Sequence, residues 1–84
     1  MATTAFTVDD TAYTEITTGD GLVQNKSAWP MYIHFGVAPP AADTNDYHVL
    51  TQYATIEKAA GSPAGNIYAR GGRKNQSNQG VLSN

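Results

Sequence analysis

The chain has 84 residues, no cysteine and a formal net charge of −2, and only 14% of its residues are charged. This length allows one domain with a small core, which no disulfide can reinforce and which association with other subunits can stabilise. The low, slightly negative charge excludes a general electrostatic attraction to nucleic acid or to an anionic membrane. No segment approaches the roughly 20 apolar residues of a membrane-spanning helix. We expect a single β domain over residues 1–84.

The first half of the chain begins with segments typical of short strands. Residues 5–17 are rich in Thr and in loosely alternating apolar side chains, which favours strand, and Asp9-Asp10 predicts a turn within them. Residues 1–10 are predicted to form an extended N-terminal arm, whose Thr-rich, nearly uncharged part suits addition to the sheet edge of a neighbouring subunit. Gly19-Asp20-Gly21 predicts a β-hairpin because both glycines accept positive φ, and a return strand then begins at Leu22.

The densest apolar segment runs from Trp29 to Gly36. Strand geometry places alternate side chains on opposite faces, so one face carries Met31, Ile33 and Phe35 and the other carries Tyr32 and His34. Pro30 predicts that the strand starts there, or that its early part lies at an edge or a bulge. A strand that is apolar on both faces needs cover on both sides, and a small domain with such a strand is usually a component of an assembly.

The second half of the chain continues the same pattern. Further strands are predicted over residues 47–50, 54–57, 66–70 and 81–82, separated by loops over residues 37–46, 59–65 and 71–80. About six to seven short strands, with turn signals every 8–12 residues or so, predict an all-β fold. The expected architecture is a small antiparallel β-sandwich or barrel.

Several of these segments together resemble a known class of protein. An Asn25-x-Ser27 turn precedes a strand ending His34-Phe35-Gly36, and a Pro-containing loop then leads to the Tyr47–Leu50 strand. A Gly-Asn-Ile-Tyr-Ala-Arg strand over residues 65–70 and a closing hydrophobic pair follow. This order resembles small β-structured virion proteins of tailed bacteriophages, which decorate or cement capsids or form head and tail appendages. The resemblance covers roughly residues 12–83.

The resemblance implies a structural role without catalysis and without a cofactor. The implied partner is the major capsid protein or another virion protein, and the chain would act as a homo-oligomer, a trimer being one form. The implied location is a virion assembled in the host cytoplasm. Alternatives are a tail or collar adaptor or a fibre component, which share the fold, and a carbohydrate-binding or receptor-binding module that presents its aromatic side chains to glycan. Neither nucleic acid nor membrane is an expected partner.

Clusters of polar residues could carry other chemistry. His34 and His48 could pair across strands to bind a metal or sense pH, although half-buried positions in a sheet are the more ordinary interpretation. The early carboxylates could bind calcium, but Gly19-Asp20-Gly21 supplies only one of the ligands that a calcium loop needs, so a turn is favoured. The cations Arg70, Arg73 and Lys74 could be solvated, contact an acidic protein or hold a phosphate.

The aromatic side chains outnumber what so small a core can enclose. We therefore expect some of them to form an exposed patch that binds a partner. The candidate interface combines three predicted contacts: the arm donates a strand, the apolar segment packs against other subunits, and the cationic loop contacts the partner. Its residues are Phe6, Val8, Trp29, Tyr32, His34, Phe35, Arg70, Arg73 and Lys74. No residue is assigned a catalytic, cofactor-binding or metal-binding role.

Overall fold

A computed structural model describes residues 2–59 and 65–84. These residues contain eight strands, slightly more than the six to seven expected, and they confirm the all-β prediction. The strands are β1 (Thr3–Val8), β2 (Thr14–Thr17), β3 (Gly21–Asn25), β4 (Met31–Gly36), β5 (His48–Leu50), β6 (Thr55–Lys58), β7 (Asn66–Gly71) and β8 (Asn78–Ser83). No helix that could span a membrane occurs among the described residues.

The strands form two antiparallel four-stranded sheets that pack as a sandwich. Sheet 1 has the order β1-β8-β3-β6, and sheet 2 has the order β2-β7-β4-β5. The segment predicted as an N-terminal arm lies in sheet 1 of its own chain, because β1 pairs with β8 from Thr3 opposite Ser83 to Val8 opposite Asn78. Exchange of this strand between copies stays a prediction.

The core lies between the sheets and follows from the alternation of each strand. In β4, Met31 and Ile33 are completely buried and Phe35 packs against the same cluster, whereas Tyr32 and His34 lie on the other face. The face assignment made from the sequence is therefore confirmed. Strands from both sheets complete the core with the buried side chains of Val8, Val23, Leu50, Ile67, Ala69 and Leu82.

Two loop predictions require correction. Gly19-Asp20-Gly21 does not close a hairpin, because β2 belongs to sheet 2 whereas β3 belongs to sheet 1 and pairs with β6 and β8. Among the described glycines only Gly65 has a positive φ. The polar segment 71–80 is shorter as a loop than predicted, because β7 extends to Gly71 and β8 begins at Asn78. Most of the loop predicted over residues 59–65 lies outside the described residues.

Two asparagines, both completely buried, connect the sheets at one end of the sandwich. Asn25 at the end of β3 donates from Nδ2 to the carbonyls of Trp29 and Leu50, both at 2.9 Å. Asn78 at the start of β8 donates from Nδ2 to the Trp29 carbonyl at 3.0 Å and to Asn25 Oδ1 at 3.2 Å. Buried polar groups are retained at low cost only when they are hydrogen-bonded. This network provides those bonds for every side-chain polar atom of the two asparagines except Asn78 Oδ1, which is buried without a partner.

Candidate functional site

Loops that carry three exposed cations lie at the end of the sandwich that contains the two buried asparagines. We call this surface the basic end and define it as Lys26, Trp29, Tyr53, Arg73 and Lys74. The backbone brings its loops together, because the N–H of Lys26 donates to the Gln79 carbonyl at 2.8 Å and the N–H of Tyr53 donates to the Asn25 carbonyl at 2.6 Å. Trp29 Nε1 donates to the Ser77 carbonyl at 3.0 Å and so anchors the indole to the β7–β8 loop.

Two of these cations pack over aromatic rings. The Arg73 guanidinium lies 5.3 Å from the centre of the Trp29 ring, and Lys26 Nζ lies 5.4 Å from the centre of the Tyr53 ring. Tyr53 is 59% exposed, the highest value for an aromatic side chain in the described residues. Cation–π contacts at such exposed positions contribute about 0.5–1 kcal/mol and restrict where the cation lies. The basic end therefore presents Lys26 and Arg73 in defined positions.

The carboxylates of Asp9 and Asp10 are bonded to neutral groups. Asp10 Oδ2 accepts the backbone N–H of Asn75 at 2.9 Å. Asp9 Oδ1 accepts the hydroxyl of Thr11 at 2.8 Å and its N–H at 3.1 Å, and these bonds lower the pKa of the Asp9 carboxyl. Asp20 and Glu57 lie beside the first residues of β3, at the opposite end of the sandwich. Asp20 and Glu57 therefore lie away from the basic end, whereas Asp10 contacts the loop that carries Arg73 and Lys74.

A second cluster covers the outer face of sheet 2. The Tyr32 and Tyr47 rings stack with centroids 4.2 Å apart, and the Arg70 guanidinium lies 5.0 Å from the Tyr32 ring and 5.6 Å from the Tyr13 ring. Arg70 Nη1 also donates to the Asp10 carbonyl at 2.9 Å. These rings contact one another and Arg70, so the cluster contributes to the packing of this face.

Tyr13 is the most deeply buried tyrosine contacted by Arg70. Its hydroxyl is buried without a hydrogen-bond partner, and so is Nε of Arg70. Burial raises the pKa of the Tyr13 phenol, and the neighbouring Arg70 guanidinium opposes that effect because it favours the phenolate.

His34 and His48 do not form a pair. His34 lies on the outer face of sheet 2, where its Nδ1 bonds to the Asp46 carbonyl at 2.6 Å. His48 lies opposite Ile33, whose side chain points into the core, and its ring is 5.7 Å from the Phe35 ring. Residues opposite each other in a sheet share a face, so the two histidines are on different faces. The described residues contain no cluster of three or more potential metal ligands.

The structure divides the residues of the predicted interface among three locations. Trp29 and Arg73 contact each other at the basic end, and Lys74 lies in the same loop as Arg73. Tyr32, His34 and Arg70 lie on the outer face of sheet 2. Phe6, Val8 and Phe35 pack in or against the core. The prediction of an exposed patch of several aromatic side chains is wrong, because Tyr53 is the only exposed aromatic side chain in the described residues.

The interface predicted from the sequence does not include Lys26 or Tyr53. Lys26 lies within the predicted Asn25-x-Ser27 turn, and Tyr53 lies 27 residues further along the chain, so no local pattern connects them. Tyr53 has a positive φ of 65°, a conformation that is uncommon for a non-glycine residue and sets the direction of its side chain. The dipeptide Gln52-Tyr53 carries none of the usual glycine or asparagine signals for such a turn.

An open groove of about 520 Å³ lies beside β4 and β5. Its lining is Ile33, His34, Phe35, Asn45, Asp46, Tyr47 and His48. The groove is shallow and its polar groups do not converge on one point: His34 Nδ1 is bonded to the backbone, and His48 lies on the other face of the sheet.

No known protein family matches this chain, and no characterised protein and no solved structure is significantly similar to it.

Proposed function

We propose that this protein is a structural, non-enzymatic component of a tailed-bacteriophage virion that binds the capsid and reinforces it as a decoration protein. The observation that carries the proposal is the basic end. Two of the interface residues expected from the sequence, Trp29 and Arg73, contact each other there. Lys74 lies in the same loop as Arg73, and Lys26 packs over Tyr53. Tryptophan, tyrosine and arginine are the residue types that most often dominate the energy of protein–protein interfaces.

The chemistry of the basic end favours an acidic protein surface as its partner. The Arg73 and Lys26 side chains already lie over aromatic rings, so less side-chain freedom is lost when they meet carboxylates. Arg73 can also bond a carboxylate through two N–H groups at once. The rest of the chain has seven acidic residues against two basic ones, and this asymmetry orients the basic end towards a negative surface during encounter.

A single copy would bind weakly, and repetition on a lattice would supply the strength. Exposed ion pairs contribute about 0–1 kcal/mol each. A copy that bridges neighbouring capsid subunits makes its second contact at a high effective concentration, which raises avidity without any new kind of contact. Bridging of this kind would hold adjacent subunits together against internal pressure, which is the reinforcing role proposed.

Co-sedimentation with empty expanded shells tests this proposal. The shells are assembled from the major capsid protein encoded in the same genome as this chain, and the expected result is saturable binding in a fixed ratio to the capsid subunits. Arg73→Glu should weaken binding on the order of ten-fold, because it reverses a charge that faces an acidic surface. Shells that bind no wild-type protein at any accessible concentration would overturn the proposal.

A matched control separates the location of the charge from its amount. The double substitution of Ala41 and Ala42 by Glu changes the net charge by the same two units as Arg73→Glu, but it lies in the exposed β4–β5 loop. The control should bind shells as the wild type does. Equal weakening by both variants would show that net charge, not the basic end, governs binding.

A further inference from the structure

Strand β1 forms one edge of sheet 1 and leaves its outer side unpaired among the described residues. All six of its residues pair with β8 on the inner side, from Thr3 to Val8. The side chains of Thr3, Ala5 and Thr7 are exposed, and Phe6 packs against the core while remaining half-buried. An edge strand of this length presents a row of free N–H and C=O groups that can pair with another strand.

The other three edges carry features that limit such pairing. β6 includes Glu57 and Lys58, β5 has three residues, and β2 has four residues with a register irregularity between Glu15 and Thr17. Charged residues, short length and bulges are the devices by which proteins protect sheet edges. β1 has the sequence Thr-Thr-Ala-Phe-Thr-Val and lacks all three devices.

We infer that β1 is a self-association edge whose partner is β1 of a second copy of this chain, paired antiparallel about a two-fold axis. In such a pair the two β1 strands run in opposite directions across the axis. A charged side chain near the middle of β1 would therefore lie close to the same side chain of the second copy. β1 carries no charge, so the symmetric pair has no such repulsion. Threonines opposite each other across two strands stabilise the pair.

Pairing through β1 also completes the burial of its inward-facing side. Phe6 lies in the outermost strand of sheet 1 and has a neighbouring strand on one side only. A second β1 would cover the part of the Phe6 ring that remains accessible. It would also join sheet 1 of one copy to sheet 1 of the other, which gives a single sheet of eight strands. This number lies within the limit of roughly 10 strands for twisted open sheets. The inference does not rest on the proposed binding to capsids.

Sedimentation equilibrium over a concentration series tests the inference. The wild-type protein should show a reversible monomer–dimer equilibrium at concentrations up to about 1 mM, a range that includes weak specific complexes. Ala5→Lys places a charge near the axis and should weaken dimerisation roughly five-fold or more. Ala42→Lys adds the same charge in the exposed β4–β5 loop, so its dimerisation should be unchanged.

A charge-swap experiment distinguishes loss of pairing from loss of folding. Ala5→Lys and Ala5→Glu should each be mainly monomeric alone, whereas an equimolar mixture should form heterodimers because opposite charges then meet across the axis. A strictly monomeric wild type, or dimerisation of Ala5→Lys that equals that of the wild type, would overturn the inference. Shell binding by a monomeric wild type would leave the proposed function standing while this inference fails.

Discussion

Replacing Asn25 by aspartate tests whether the buried asparagine network holds the two sheets together. Asn25 is completely inaccessible, and its Nδ2 donates to the Trp29 and Leu50 carbonyls at 2.9 Å each. Its Oδ1 accepts from the Ser27 N–H at 3.0 Å and from Asn78 Nδ2 at 3.2 Å. Asn25→Asp keeps the shape and these two accepted bonds, but it replaces both donated hydrogens by a carboxylate oxygen that faces two carbonyls.

The expected cost is large relative to the stability of so small a domain. Each buried group that loses its partner costs about 1–3 kcal/mol, and an uncompensated buried charge costs about 3–5 kcal/mol. Domains of this size unfold with a free energy of about 4–13 kcal/mol in total. We therefore expect Asn25→Asp to lower the free energy of unfolding at pH 7 by about 3–5 kcal/mol.

Urea unfolding monitored by Trp29 fluorescence measures this change, with Asn45→Asp in an exposed loop as the matched control. The buried carboxyl should have a raised pKa in the folded state, so the deficit should shrink as the pH falls to about 4 and the protonated acid regains one donated bond. A deficit below about 1 kcal/mol at pH 7, or one independent of pH, would refute this reasoning.

Three further changes test the core and two titrating groups. Ile33→Ala removes a completely buried side chain and should cost about 2–5 kcal/mol in urea unfolding, whereas Val37→Ala, at a position 78% exposed, should change stability by less than about 0.5 kcal/mol. Tyr13→Phe should be neutral or slightly stabilising at pH 7, because it removes a buried hydroxyl without a partner. It should also lessen the loss of stability above about pH 10. Thr11→Val should raise the midpoint pH of acid unfolding, because it removes the hydroxyl that lowers the pKa of Asp9.

The direction of each pH effect follows from whether folding raises or lowers the pKa of the group. The folded state raises the pKa of Tyr13 and keeps a proton that the unfolded chain releases, so its contribution is complete below about pH 10 and is lost as the pH rises. The folded state lowers the pKa of Asp9, so its contribution is present above about pH 4 and is lost as the pH falls. Equal alkaline loss in Tyr13→Phe and wild type, or an unchanged acid midpoint in Thr11→Val, would contradict these assignments.

The sequence predicted the strands well where burial repeats locally. In β4, the alternation of Met31 and Ile33 with Tyr32 and His34 has a period of two residues, and that pattern alone identifies the face that enters the core. The start of β4 directly after Pro30 follows from the missing backbone N–H of proline. Propensity and periodicity were sufficient at these positions.

Long-range pairing could not be read from the same patterns. Gly19-Asp20-Gly21 has the composition of a hairpin, but whether the next strand returns to the same sheet depends on the pairing of β3 with β6 and β8. The contact of Lys26 with Tyr53 joins residues far apart in the chain. Arg73 and Lys74 could be identified in the sequence as candidate interface residues. The contacts of Arg73 with Trp29 and of Lys26 with Tyr53 could not.

The most direct test of capsid binding is cryo-electron microscopy of expanded shells incubated with the purified protein. The proposed function predicts regular additional density over the whole shell, with the end of each sandwich that carries Trp29 and Arg73 facing the capsid subunits. Density at a single vertex would indicate a collar or tail component instead. Shells that remain bare at saturating protein concentrations would contradict the proposed function.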